Sequence, residues 1–262
     1  MQQSTRDNYR DFLRQLVTLA AIVGAFVVNV LSNIFPLNGL SIGEISNTLF
    51  KNVLIIPANY AFAVWGLIYI GLFAFGIYQI LPNQKHDSDL RNTGYLLVIA
   101  SVAQSIWVYL FLSRLFWLSV VAMFLILLPL IVMYLRLGIG KNPVPRIKKW
   151  CVHFPISIYL SWISVATIVN VASALYFQSW NGWGISAEVW TVIMLLIAAA
   201  IATVIAVQHR DIAYTGVTVW ALVAIAFKQW NNPLLRNLAI GLALAIALVV
   251  VIQNSRTPHS IS

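Results

Sequence analysis

Aromatic and amide side chains recur at helical spacing in three apolar stretches of the sequence. In the first stretch, Phe62, Trp65 and Tyr69 fall at positions i, i+3 and i+7, which a helix aligns on one face. Two later stretches repeat the pattern, one around Trp107 and one around Trp162. Helices that bring such faces together would form a cavity with aromatic walls. Such a cavity is suited to flat hydrophobic ligands, which it would bind by stacking and burial.

The two later stretches each add one amide near the middle of an apolar helix. Gln104 and Asn170 need hydrogen-bond partners, because an unpaired amide in hydrocarbon is costly. Either the two amides bond each other across helices, or they contact the polar edge of a ligand. Aromatic faces also commonly pack between helices without any ligand, and this alternative stays open. The candidate ligand-binding residues are Tyr60, Phe62, Trp65, Tyr69, Gln104, Trp107, Phe111, Tyr159, Trp162, Ala166 and Asn170.

Few other residues of the sequence are suited to chemistry. No Asp, Glu, Lys or Arg falls in the middle of a predicted span, which disfavours an ion-coupled transporter. No Cys/His cluster has the spacing of metal ligands, so we predict no metal site. The single cysteine, Cys151, is expected to be a packing residue. We also find no catalytic carboxylate pair or activated nucleophile, and we predict no catalytic residue.

The composition places these stretches in a membrane. The chain is 61% hydrophobic and 9% charged, whereas soluble domains carry about 25% charged residues. Apolar runs of about 18 residues or more recur, which is the length that a helix needs to cross a bilayer core. The net charge of +9 is explained by basic residues in the loops that flank the membrane. We therefore predict no nucleic-acid binding.

These observations predict an all-α, polytopic transmembrane bundle of about eight spans. A tight turn near Ser113 joins the third and fourth spans into an antiparallel hairpin. The predicted spans are residues 13–35, 59–81, 94–112, 116–137, 152–177, 187–208, 212–228 and 234–253.

Basic residues and one long connection predict how the bundle is oriented and closed. With the N-terminus inside, inside segments hold twelve of the 16 Lys and Arg residues, so both termini are expected to be cytoplasmic. The connection 36–56 contains Ser41 followed three residues later by Glu44, which is a capping-box pattern. We expect residues 41–50, the lid segment, to form a short helix across the outer mouth of the bundle. The alternative is a flexible connector.

The same stretches resemble a known family. The resemblance is carried by residues 57–69, 104–111 and 155–170. Its most specific part keeps Trp162, Ala166 and Asn170 at the spacing of the tryptophan-rich sensory protein (TspO) family, which is related to the mitochondrial translocator protein. The resemblance covers about residues 13–178. It implies a five-helix bundle, often dimeric, that binds porphyrins, haem or sterol-like molecules beneath the loop joining its first two helices.

The resemblance also implies a division of the chain, and the absence of a eukaryotic targeting signal favours a bacterial location. Residues 1–180 would form the TspO-like five-helix unit, and residues 181–262 would add three helices and a short polar tail. No resident cofactor is assigned, and porphyrin or haem is the candidate ligand. The expected partners are a lipophilic small molecule, the lipid bilayer, and a second copy of the chain or another membrane protein. We expect an integral protein of a bacterial inner or a thylakoid membrane.

Three functional hypotheses follow from the sequence. The first is a receptor or carrier for a tetrapyrrole or another flat lipophilic molecule, with a sensory or transport role. The second is a scaffold or assembly factor that docks membrane partners through its C-terminal helices. The third, an enzyme acting on porphyrin or lipid, is ranked last because no catalytic group was found, although some TspO proteins are reported to photodegrade porphyrin.

Overall fold

A computed structural model describes residues 2–85 and 87–255 of the chain, and within them all regular secondary structure is helical. The side chains of residues 2–8 and of Asn254 are not described. Most of the predicted polar tail, residues 256–262, lies outside the described residues. The prediction of an all-α fold is confirmed.

Long apolar helices dominate the described residues. In chain order the helices are α1 Gln2–Ile34, α2 Ile42–Thr48, α3 Val64–Ile80, α4 Ser88–Thr93, α5 Leu96–Leu112, α6 Phe116–Arg136, α7 Phe154–Phe177, α8 Ala187–Gln208, α9 Ile212–Lys228 and α10 Pro233–Ser255. Six stretches, built on α1, α3, α6, α7, α8 and α10, are long and apolar enough to cross a membrane. Helices α5 and α9 have 17 residues each, about 25 Å at 1.5 Å per residue. That length is near the lower limit for a span, so eight crossings stay a prediction.

Helix ends near the predicted site have local causes. The second predicted span starts as a 3₁₀ turn at Asn59–Ala63, becomes α-helical at Val64 and ends at Ile80. It ends there because Leu81 precedes a proline and adopts an extended conformation, with φ −61° and ψ 140°. The fifth predicted span, residues 152–177, begins within a π turn over Lys149–His153. A proline then occupies its first α-helical turn, where a missing N–H donor costs little.

The first five long helices pack around a common core, and the C-terminal helices pack on one side of it. Helices α5 and α6 form the predicted hairpin, and α6 packs on α7. Helix α1 contacts α3 and α5, while α7 also contacts α3. Among the C-terminal helices, α9 makes the main contact with α7 and in turn packs on α8 and α10. Helices α5 and α7 run toward the lid segment, whereas α3 runs away from it.

Buried polar contacts join α9 to the first five helices. Ser161 Oγ on α7 donates to the Tyr214 carbonyl oxygen at 2.7 Å. The Ala58 backbone N–H donates to the Ala224 carbonyl oxygen at 3.1 Å, and the Gln229 amide donates to the Leu54 carbonyl oxygen at 2.7 Å. The connection that precedes α3 is therefore held in place by α9. The division at residue 180 stays a hypothesis, and a truncation there would remove these bonds.

Charged side chains occupy the end of the bundle opposite the lid segment. Lys148 Nζ lies 2.7 Å from Asp87 Oδ2 and 2.5 Å from Asp89 Oδ2. Burial raises the pKa of Asp87, but the hydrogen bond from Lys148 and two backbone N–H donors outweigh burial, so that the pKa lies below its ordinary value. The loop 137–145, which joins α6 to the turns before α7, lies at this end too. We term this end of the bundle the basic end.

Candidate functional site

Four helices and the lid segment enclose a small aromatic cavity near the end of the bundle opposite the basic end. Its volume is about 40 Å³. The helices α3, α5, α6 and α7 form its walls, and the lid segment contributes Ile42 and Ser46. Its lining residues are Ile42, Ser46, Pro57, Phe62, Trp65, Trp107, Phe111, Met123, Trp162, Val165, Ala166, Val169, Asn170 and Ser173.

Seven of the eleven candidate ligand-binding residues line this cavity. The seven, which include all three tryptophans, are Phe62, Trp65, Trp107, Phe111, Trp162, Ala166 and Asn170. Tyr60, Tyr69, Gln104 and Tyr159 are not among the lining residues. Tyr60 lies in the 3₁₀ turn before α3 and packs edge-on against Trp220 of α9, with ring centroids 5.1 Å apart. Tyr69 turns toward α1, where its hydroxyl donates to the Ala25 carbonyl oxygen at 3.2 Å.

Aromatic ring contacts join the start of α3 to α7 at the cavity. The Trp65 ring stacks on Tyr69 with centroids 5.7 Å apart and contacts the buried Tyr159 ring at 6.0 Å. Phe62, in the 3₁₀ turn before α3, meets Trp162 edge-to-face at 5.7 Å. Aromatic pairs in these geometries contribute about 0.5–1.5 kcal/mol each beyond the area they bury. The stripe on α3 therefore reaches α7 through direct ring contacts.

Asn170 connects three helices at the cavity. Its Oδ1 accepts a hydrogen bond from Trp107 Nε1 at 2.7 Å. Its Nδ2 donates to Ser119 Oγ at 2.9 Å, and all three residues are buried. Asn170 therefore does not bond Gln104, because its partners are Trp107 on α5 and Ser119 on α6. Contact of Asn170 with a ligand stays a prediction. Ser119 was missed by the sequence analysis, since a single serine in an apolar helix gives no distinguishing signal.

Gln104 has no such partner. Its side chain is buried, and neither Nε2 nor Oε1 has a hydrogen-bond partner among the described residues. It precedes Trp107 by one turn of α5, toward the basic end. An unpaired buried amide costs about 1–3 kcal/mol, so this position is the least satisfied polar site next to the cavity.

The lid segment closes the cavity with a capped helix and a buried phenylalanine. The predicted capping box is confirmed: the Ser41 side chain accepts from the Glu44 N–H, and the Glu44 carboxylate accepts from the Ser41 N–H. The hydrogen bonds from Ser41 hold the pKa of Glu44 below its ordinary value. Phe50 at the end of the segment is fully buried, and its ring centroid lies 4.8 Å from Phe116 and 6.2 Å from Phe111. Phe50 was missed by the sequence analysis, although it is the one aromatic residue of the lid segment.

The volume of the cavity limits what it can hold. A water molecule occupies about 30 Å³ in the liquid, and pockets for small organic ligands measure about 300–1,000 Å³. At about 40 Å³, the cavity has room for roughly one water, not for a porphyrin. A ligand of porphyrin size could bind here only if the cavity widened. Within the described residues, no group of three or more His, Cys, Asp or Glu side chains is arranged to hold a metal ion.

Fold and site together define a helical integral membrane protein with a lidded, tryptophan-walled cavity between its spans. The sequence matches the model of the TSPO-like protein family over residues 15–252, and the chain belongs to that family. The match extends through α8, α9 and most of α10. Neither a curated protein nor a solved structure matches the chain. Members of the family are membrane proteins of the TspO type, commonly associated with hydrophobic ligands, and they are in general receptor- or transporter-like rather than catalytic.

Proposed function

We propose that this protein is a membrane receptor or carrier that binds a flat hydrophobic molecule, of the porphyrin or sterol-like class, in the aromatic cavity. The observation that carries the proposal is the convergence of Trp65, Trp107 and Trp162 on one space beneath the lid segment. Three indole rings offer large flat surfaces for stacking. Asn170 accepts a hydrogen bond from the Trp107 indole N–H, which restrains the orientation of that ring.

Binding of a ligand of this size requires the cavity to open. The lid segment is the element that moves, because it is a short helix at the edge of the bundle and few of its side chains, chiefly Ile45 and Phe50, reach the core. Few side-chain hydrogen bonds attach it to the bundle: Asn47 donates to Asn59 at 2.8 Å, and Asn52, two residues after the segment, donates to Tyr176 at 3.2 Å. Displacing Phe50 would extend the cavity toward the Phe111 and Phe116 rings without separating the long helices.

A titration with protoporphyrin IX tests the proposal. The purified protein is titrated in detergent, and binding is followed by the change in porphyrin absorbance, since that signal does not depend on the number of tryptophans. The triple variant W65F/W107F/W162F should bind at least about tenfold more weakly, because each substitution removes stacking area worth about 0.5–1.5 kcal/mol. Haem and a sterol are titrated in the same way to rank the ligand classes.

A second triple variant serves as the matched control. Trp180, Trp183 and Trp190 form a separate ring cluster between α7 and α8, with neighbouring centroids 5.3–6.0 Å apart. W180F/W183F/W190F removes the same number of indoles and should bind like the wild type. Equal affinity of the wild type and the cavity variant would refute the proposal. Equal loss in both variants would point to a general effect of tryptophan removal and would also count against it.

A further inference from the structure

A second, much larger cleft lies between α3, α7 and α9 and shares no lining residue with the aromatic cavity. Its volume is about 1130 Å³. It extends from the loop 137–145 at the basic end to Ala63 and Trp220 within the bundle. Residues such as Leu67 and Trp220 line it and are also 45% and 40% exposed, so the cleft opens sideways toward lipid. A site of this kind is accessible from the bilayer.

The body of the cleft is apolar over the depth of one leaflet. Along α7 and its preceding turn, the lining runs from Lys149 to Ile158, nine residues or about 13 Å at 1.5 Å per residue. On α9 it runs from Ile212 to Trp220, about 12 Å. Half of a hydrocarbon core of about 30 Å is about 15 Å. The cleft therefore matches the length of a hydrocarbon chain that enters from the basic end.

The mouth of the cleft is positively charged. Lys141, Lys149 and Arg210 line it, are exposed, and form no ion pair with the described residues. The carboxylate in the lining, Asp211, is engaged elsewhere. Its Oδ1 accepts from two backbone N–H groups at the start of α9, and its Oδ2 accepts from Tyr134 at 2.9 Å. The mouth thus holds three cationic side chains and one carboxylate, and the carboxylate is already hydrogen-bonded to other groups.

Two histidines complete the mouth. His209 Nδ1 lies 2.9 Å from the Ile139 carbonyl oxygen, and Gly140 packs so closely that a β-carbon there would lie 1.7 Å from the His209 carbonyl oxygen. These contacts dock the loop 137–145 against the start of α9 and give the mouth a fixed shape. His153 is different: its side chain is 5% exposed and lines the cleft, and its Nε2 has no hydrogen-bond partner among the described residues. This buried nitrogen in the lining is therefore free to make a hydrogen bond to a polar group of a bound molecule.

We propose that this cleft binds one anionic phospholipid, with its phosphate near Lys149 and Arg210 and an acyl chain along the groove between α7 and α9. The bilayer supplies the ligand directly, since the groove opens to lipid. The cationic mouth selects an anionic headgroup over a zwitterionic one, because each basic residue near a membrane surface contributes about 1 kcal/mol toward anionic lipid. The unpaired nitrogen of His153 is the polar contact at the transition from headgroup to chain. This site does not depend on the function proposed for the aromatic cavity.

Two variants separate the apolar and the charged parts of the site. A β-carbon at Gly216 would meet no atom within 4 Å, and this residue lines the cleft. A leucine there therefore fills the groove without a clash, and G241L, at an exposed glycine of α10 with equally open surroundings, is its control. K149Q/R210Q removes two charges from the mouth. K51Q/R236Q removes the same charge from residues outside the cleft and is the control for net charge.

Native mass spectrometry of the delipidated protein measures the binding. The protein is offered equal amounts of phosphatidylglycerol and phosphatidylcholine with identical chains. The wild type should retain one phosphatidylglycerol and prefer it by about tenfold or more, as expected for two or more basic contacts. G216L should lose the bound lipid, whereas K149Q/R210Q should lose the preference for phosphatidylglycerol. Both controls should behave like the wild type, and inorganic phosphate should not displace the lipid.

Several outcomes would overturn the proposal. They are full lipid retention by G216L, an equal loss of preference in K51Q/R236Q, and displacement by inorganic phosphate, which would make the mouth a free-phosphate site. Folding of each variant is checked by its thermal unfolding. A measurement that starts from the unaltered wild type covers a misfolded variant: phosphatidylglycerol with brominated chains should quench its tryptophan fluorescence. The quenching should decrease in W220F, a conservative change of one lining residue. Quenching that is the same in W220F and the wild type would also refute the site.

Discussion

The Phe50→Ala variant separates the stability of the lid segment from the affinity of the cavity beneath it. Phe50 is fully buried and contacts the rings of Phe111, Phe116 and Tyr176. Removing a buried phenylalanine ring costs about 3–5 kcal/mol in well-packed cores. Because this ring belongs to the lid segment, most of that cost falls on the docked lid and only a small part on the packing of the long helices.

The expected effect on ligand affinity follows from the population of the open form. If only the open form binds, the apparent dissociation constant equals the intrinsic constant divided by the open fraction. A loss of about 3 kcal/mol from lid docking changes the docked-to-open ratio by about 100-fold, at about 1.4 kcal/mol per factor of ten. F50A should therefore bind porphyrin up to about 100-fold more tightly, until the open form predominates. Its thermal stability should decrease at the same time.

The assay combines porphyrin titration with thermal unfolding in detergent. The control is F75A, because Phe75 on α3 is equally buried and lines neither the cavity nor the lid segment. F75A should lose stability without any gain in affinity. An F50A variant whose affinity is unchanged or decreases along with F75A would refute the reasoning, since the lid segment would then not control access to the cavity.

Three further variants test individual contacts. Asn170→Ala leaves the buried Trp107 indole N–H without its acceptor and should lower the free energy of unfolding by about 1–3 kcal/mol, measured by thermal unfolding. The control is Asn33→Ala at an exposed position, whose free energy of unfolding should stay within about 0.5 kcal/mol of the wild type. Because the pKa of Glu44 is lowered, its stabilisation of the lid segment is present above about pH 4.5 and is lost as the pH falls through the lowered pKa. Hydrogen exchange of the lid segment should therefore become faster over this pH range. Glu44→Gln should abolish this pH dependence. Gly140→Ala should lower the unfolding temperature more than Gly39→Ala, because both glycines have positive φ but only the first β-carbon would clash.

Local sequence chemistry is sufficient to predict the lid segment and most of the helices. Ser41 and Glu44 are three residues apart, and both hydrogen bonds of a capping box depend only on that spacing. The spans could be predicted because uninterrupted apolar composition does not depend on the helix neighbours. Where the start of α3 differs from the prediction, at the 3₁₀ turn Asn59–Ala63, the connection is held by α9, which lies far away in the sequence.

Contacts between helices could not be predicted from the sequence. Helical spacing places Trp107 and Asn170 on particular faces, but it does not tell which faces meet, and the third partner, Ser119, lies on a helix with no aromatic stripe pattern. The lipid cleft shows the same limitation. Its walls come from α3, α7 and α9, and the α3 sequence is apolar on every side, so its pattern does not distinguish a packed face from an open one.

Depth in the bundle explains why three of the four remaining candidate residues do not line the cavity. Tyr159 and Gln104 precede their tryptophans by three residues on helices that run toward the lid segment, so they lie about 4.5 Å deeper. Tyr69 follows Trp65 by four residues on a helix of opposite direction, and it lies about 6 Å deeper. The cavity thus ends one helical turn above a layer that contains the unpaired amide of Gln104. Under the proposed function, a ligand that displaces the Phe50 ring and reaches this layer would supply the hydrogen bonds that Gln104 lacks in the closed form, so the same polar group that destabilises the closed form would favour the occupied one.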